Sequence, residues 1–86
     1  MARDYERVRQ QLAFNVRRLR AEKELSQEEL ALNAEVDRTY VSQIERAIGN
    51  PSLLVLSKLG HVLGVDVRDL LDAKKDVSAL VRKRTE

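Results

Sequence analysis

Between Asp37 and Glu45 the sequence reads DRTYVSQIE, a run in which almost every side chain can form directional hydrogen bonds. Arg38 brings a forked guanidinium that only donates, Thr39 and Ser42 bring hydroxyls, Tyr40 a phenol, and Gln43 an amide that both donates and accepts. Val41 and Ile44 form a single i, i+3 apolar pair, enough to seat one edge of a short helix and leave its other sides polar. Such a helix is ordinarily a solvated face, so the run has to be weighed with its surroundings. Catalysis finds no support. Ser, His and Asp all occur, but no spacing places a nucleophile beside a base, and no glycine-rich loop is present to hold a nucleotide. His61 is the single histidine and there is no cysteine, which excludes a metal centre of His/Cys type, disulfides and thiol chemistry. His61 is expected on the surface, and no cofactor or small-molecule ligand is expected.

The elements that must position this run follow from periodicity. Val8, Leu12, Val16 and Leu19 recur at helical spacing and predict a first helix over roughly 6–23, with Phe14 opposite its apolar face. Ser26 followed by Glu29 is a capping box, predicting a second helix from Gln27 to Asn33. Asp37 caps the third helix. The break IGNPS precedes Ser52, which caps a fourth helix whose Leu53, Leu56, Leu59, Gly60 and Leu63 share a face and which Gly64 ends. Asp66 caps a short fifth helix with Val67, Leu70 and Leu71. The expected fold is all-α, a compact five-helix bundle, with residues 73–86 a basic tail or a short extra helix.

Composition agrees with one domain. The 86 residues are 43% apolar with one Phe and two Tyr, so the core must be small and aliphatic, which suits helix packed on helix. No stretch approaches a membrane span, and the charged start MARDYERVRQQ lacks the apolar run of a signal peptide, so a cytoplasmic protein is expected. The formal net charge of +2 is unevenly spread: residues 1–23 and 73–86 are basic, and 24–36 hold four acids and no base.

Three stretches in order, NVRRLRAEKELSQEELA, VDRTYVSQIERA and NPSLLVLSKLGHVLGV, resemble the lambda-repressor and Cro-like helix-turn-helix proteins, the XRE family. The resemblance covers about residues 12–72 and implies that the second and third helices form a helix-turn-helix, with the third entering the DNA major groove. The polar third helix suits that role, because the groove admits one α-helix and a helix reading base edges needs few apolar anchors. The resemblance places base contacts at Arg38 and Thr39. Arg38 can bond guanine O6 and N7, Gln43 can pair with adenine, and Ser42 is a weaker candidate beside it. Gln27, Tyr40, Arg46 and Asn50 are expected at phosphates, together with the N-terminus of the second helix. Arg17 is assigned to phosphate, with a solubilising surface as its ordinary alternative, and Arg18 is left to solvent. Arg20 and Glu45 match the family's internal salt bridge. As a partly exposed pair it would be worth about 0–1 kcal/mol.

The sequence departs from the family at Glu24, Glu35 and Ala47, positions that often hold glycine; a positive φ at Glu35 would cost about 1 kcal/mol. Glu24, Glu28, Glu29 and Glu35 are expected to lower nonspecific DNA affinity. Leu54, Val55 and Val62 lie off the expected core face. With Val67, Leu71, Val77, Leu80 and Val81 they suggest a twofold homodimer interface, the bland alternative being a tail folded back over them. Phe14 suits either tail packing or a partner contact. The expectation is a homodimeric transcriptional regulator of double-stranded DNA on a near-palindromic operator, a repressor or autoregulator of the kind found in restriction-modification operons and phage switches. Activation stays open. The alternative is a module such as an antitoxin that uses the same fold to bind a partner protein.

Overall fold

A computed structural model of the chain describes residues 2–73, with side chains from Asp4 onward. Five helices follow in order: α1 (Ala2–Glu22), α2 (Gln27–Ala34), α3 (Arg38–Glu45), α4 (Leu53–Leu63) and α5 (Val67–Leu70), with no strand among the described residues. α3 packs on α1 and α2, α2 on α4, and α5 bridges α4 and α1. α1 begins four residues earlier than its apolar periodicity predicts, because the segment ARDYE continues as helix.

Each later helix starts where a side chain can accept a free backbone N–H. Ser26 accepts from the Glu29 amide while Glu29 accepts from the Ser26 amide, Asp37 accepts from Thr39, Ser52 from Val55, and Asp66 from Arg68. The helix ends share one device. After α1, α2, α3 and α4 the chain places a residue in the left-handed region, Glu24 (φ 56), Glu35 (φ 59), Ala47 (φ 58) and Gly64 (φ 76). The next residue, Leu25, Val36, Ile48 or Val65, donates its N–H back to the carbonyl of Arg20, Ala31, Gln43 or Gly60. That six-to-one bond satisfies an orphan carbonyl and turns an apolar side chain toward the helix it closes. Leu25, Val36 and Val65 do pack against the core.

The core is aliphatic: Leu12, Val16 and Leu19 from α1, Leu30, Ala31 and Ala34 from α2, Val41 and Ile44 from α3, Leu56, Leu59 and Leu63 from α4, and Leu70 from α5. Two residues expected in it lie outside. Val8 is 44% exposed near the N-terminal end of α1, and Leu53 is 75% exposed as the first residue of α4, ahead of the buried Leu56. Gly60 is required where it stands, since a Cβ there would lie 2.7 Å from the Val65 carbonyl oxygen.

Candidate nucleic-acid interface

α3 is held from one side only. Val41 and Ile44 are buried, Glu45 beside them is 5% exposed, and Arg38, Thr39, Tyr40 and Arg46 are exposed, with Ser42 and Gln43 half-buried. Spaced 100° apart around the axis, these residues leave Thr39, Gln43 and Arg46 facing away from the core, with Ser42 and Arg38 on one flank and Tyr40 on the other. Asp37 caps the helix from outside. The backbone N–H of Thr39 bonds its carboxylate and holds it below the usual carboxylate range. Because that pKa is depressed, the cap's contribution is present above the ordinary carboxylate value and is lost as pH falls through the lowered one.

The buried side of α3 carries a polar clamp. Arg20 donates from Nε to Glu45 Oε2 (2.6 Å) and from Nη2 to Oε1 (2.9 Å), and Nη1 bonds the Leu25 carbonyl oxygen (2.8 Å). Gln27 Nε2 adds a third donor to Glu45 Oε1 at 3.0 Å. Glu45 raises the Arg20 pKa further, against the opposing effect of burial. Arg20 is partly exposed, as expected from sequence, but the Glu45 carboxylate is sealed in with three donors converging on it, which makes the pair more tightly built than an ordinary surface salt bridge. Gln27 lies half-buried at the start of α2, tied by its amide to the base of α3.

Arg46 lies at the end of α3, its Nε bonded to the Ser42 carbonyl oxygen at 3.4 Å, and Asn50 is exposed on the loop that follows. Gly49, on the same loop, adopts φ 80 and sits against Gln43: a Cβ on Gly49 would approach Gln43 Oε1 to 3.3 Å. Arg17 is exposed on α1, while Arg18 pairs with Glu22 at 3.0 Å and is not simply solvated. At the N-terminus of α2 the capping box engages the Ser26 and Glu29 amides, so fewer N–H groups are left there for an anion than a bare helix end would offer. Glu24, Glu28, Glu29 and Glu35 are all exposed.

Residues 16–70 match the HTH_3 helix-turn-helix family. The chain belongs to that family. Among its relatives are a Neisseria meningitidis protein described as a hypothetical transcription factor, 44% identical over 68 residues, and the control protein C.BamHI of Bacillus amyloliquefaciens, 47% identical over 58 residues. These alignments cover 79% and 66% of this chain and 64% and 72% of the relatives. The regulator SinR of Bacillus subtilis is 44% identical over 62 residues, and there the chain spans 56% of the relative's length. Among solved structures, the Neisseria transcription factor superposes with a TM-score of 0.77 at 39% identity, over 88% of this chain and 87% of that one. SinR in complex with DNA superposes at 0.67 with 42% identity, over 71% of this chain and 98% of that one. These relatives are transcription regulators and controller proteins, not enzymes, and their fold is the five-helix, lambda-repressor-like arrangement described above.

In this helix-turn-helix protein, the residues proposed for base reading share α3, and those proposed for phosphate lie on α1, α2, α3 and the loop after it. Of the apolar residues assigned to a dimer interface, Leu54 is 64% exposed and Leu71 is exposed after α5, whereas Val55 and Val67 are half-buried against the core, as is Val62. Val77, Leu80 and Val81 lie outside the described residues. Phe14 is half-buried on α1. No helix of the described residues is long and apolar enough to cross a membrane.

Two contributors escaped the sequence reading. Asn15 is fully buried and donates from Nδ2 to the carbonyls of Leu70 (2.8 Å), Asp72 (3.1 Å) and Asp69 (3.4 Å), holding the end of α5 to α1. Its signal was a polar residue next to Val16 at the apolar face of α1. Tyr5 donates from its hydroxyl to the Gly49 carbonyl oxygen at 3.3 Å, joining the start of α1 to the loop after α3. Nothing local announces a contact across that separation.

Proposed function

We propose that the chain is a sequence-specific, double-stranded-DNA-binding transcriptional regulator that acts as a homodimer on a near-palindromic operator. Two copies of α3 enter successive major grooves about 34 Å apart. Arg38, Thr39, Ser42 and Gln43 face base edges, with Arg38 bidentate to a guanine. Gln27, Tyr40, Arg46, Asn50 and Arg17 fix the register on the phosphates. The observation that carries this reading is the construction of α3, anchored by Val41 and Ile44 and clamped through Glu45 so that its polar outer side is both exposed and held in one orientation. The DNA complex of SinR, a 42% identical structure, supports the same use of the fold. Regulation by blocking polymerase, as a repressor or autoregulator, fits the likeness to the control protein C.BamHI and the restriction-modification controller protein C.AhdI.

Selection of bound duplexes from a randomised pool at near-physiological salt tests this directly. Two inverted half-sites spaced by about one helical turn are expected. Recovery of no motif would show that the protein does not read DNA sequence.

A second reading rests on a different observation. A SinR–SinI protein complex is among the structural matches, at TM-score 0.72 and 38% identity over 86% of this chain, and Leu53 and Leu54 are both exposed at the start of α4. The fold would then present a surface to a protein partner. Copurification of a stoichiometric partner from the native cell supports it, and a homodimer isolated alone counts against it.

A further inference from the structure

The family match begins at residue 16, and α1 extends about four turns N-terminal to that point, from Ala2. In that upstream part Tyr5 reaches across to the loop after α3, donating to the Gly49 carbonyl oxygen at 3.3 Å. Its ring is itself held: the Arg9 guanidinium carbon lies 4.8 Å from the ring centroid, and Arg9 is paired with Glu6 on the same helix. Gly49 takes φ 80, and the space where a Cβ would stand is bounded by the Gln43 side chain, with Oε1 at 3.3 Å and Cβ at 3.6 Å. The same loop is fastened to α3 by the Ile48 amide, which bonds the Gln43 carbonyl oxygen at 3.0 Å. Tyr5, the Gly49 peptide and Gln43 therefore form one line of contact from the start of α1 to the outer side of α3.

From this line we propose that Tyr5 is a positioning residue for base recognition, fixing the Gly49 peptide so that the loop confines the Gln43 amide to the orientation that reads a base. The inference rests on the assignment of Gln43 to base contact. A loop without the Tyr5 bond lets the Gly49 peptide swing, and Gln43, released on that side, samples orientations that match more than one base edge. Affinity drawn from phosphates and from Arg38 is unaffected by this, so the consequence is confined to one base pair per half-site.

The test is selection from a randomised duplex pool with four full-length proteins: the parent, Gln43→Ala, Tyr5→Phe and the double variant. Tyr5→Phe keeps the ring over Arg9 and removes only the hydroxyl, and thermal melting by circular dichroism establishes that its fold is retained. Tyr5→Phe is expected to relax base preference roughly three- to tenfold, the range commanded by one hydrogen bond, at the position that Gln43→Ala relaxes. The double variant should match Gln43→Ala, since the tyrosine acts through the glutamine. If Gln43→Ala loses preference at a position where Tyr5→Phe keeps it, or if Tyr5→Phe weakens all sequences equally, the positioning role is overturned and the reading by Gln43 stands. If Gln43→Ala itself changes no preference, both the assignment of Gln43 and the role of Tyr5 fall.

Discussion

Glu45 is a carboxylate with little access to water, and its three donors from Arg20 and Gln27 offset the cost of that burial. The interaction is asymmetric. Arg20 is partly exposed and can turn to solvent when Glu45 is lost, but Glu45 has nowhere to go when Arg20 is lost. Arg20→Ala is therefore expected to destabilise the fold by about 3 kcal/mol, the lower end of the range for an uncompensated buried charge, as read from the urea midpoint. A loss below about 0.5 kcal/mol would mean that water reaches Glu45 freely, against its burial here. The sequence marked the pair through the family resemblance but not its burial. Glu45 follows Ile44 on a helix with a single apolar pair, and only the packing of α1 and α2 over that edge determines that its carboxylate is enclosed.

At the scale of the elements, four helices close with the same turn, and three of them place a side chain where glycine would sit without strain. Ala47→Gly and Glu24→Gly are each expected to raise stability by about 1 kcal/mol, less the extra entropy glycine gives the unfolded chain. Their effects should add, since they end different helices. A lower denaturation midpoint for either variant would show that these residues are not strained. The starts of α2 to α5 and the end of α4 were legible because their signals are local: Ser26, Asp37, Ser52, Asp66 and Gly64 act within a turn of themselves, whereas the start of α1 carries no such cap signal and was placed four residues late. The exposure of Val8 and Leu53 was not legible, because periodicity gives the face of a helix and says nothing of how far along that face a neighbour extends. Asn15 and Tyr5 were missed for a related reason, since their partners are carbonyls at Leu70 and Gly49, brought close only by the assembled fold.

For the whole molecule, the proposed homodimer links oligomeric state to DNA affinity. Leu54, exposed on α4, is the described apolar residue best placed for it, whereas Val55 and Val67 also serve the monomer's own core. Leu54→Asp is expected to yield monomers in sedimentation at concentrations where the parent is dimeric. It should also weaken binding to a duplex with two half-sites by about a hundredfold while leaving single-half-site binding nearly unchanged, because the second contact ceases to be intramolecular. A variant that remained fully dimeric would place the interface away from this end of α4. Under the proposed function, the exposed acids on and beside α2 would reduce attraction to DNA in general and leave discrimination to the side chains of α3.

Base reading by α3 is proposed to rest most heavily on Arg38. Fluorescence anisotropy of the parent and Arg38→Ala, on the selected duplex and on duplexes with each other base pair at the most specified position of the half-site, tests it most directly. Arg38→Ala is expected to lose about 1–3 kcal/mol on the selected duplex and to bind duplexes with any of the four base pairs with near-equal affinity. Unchanged affinity together with unchanged preference would contradict it.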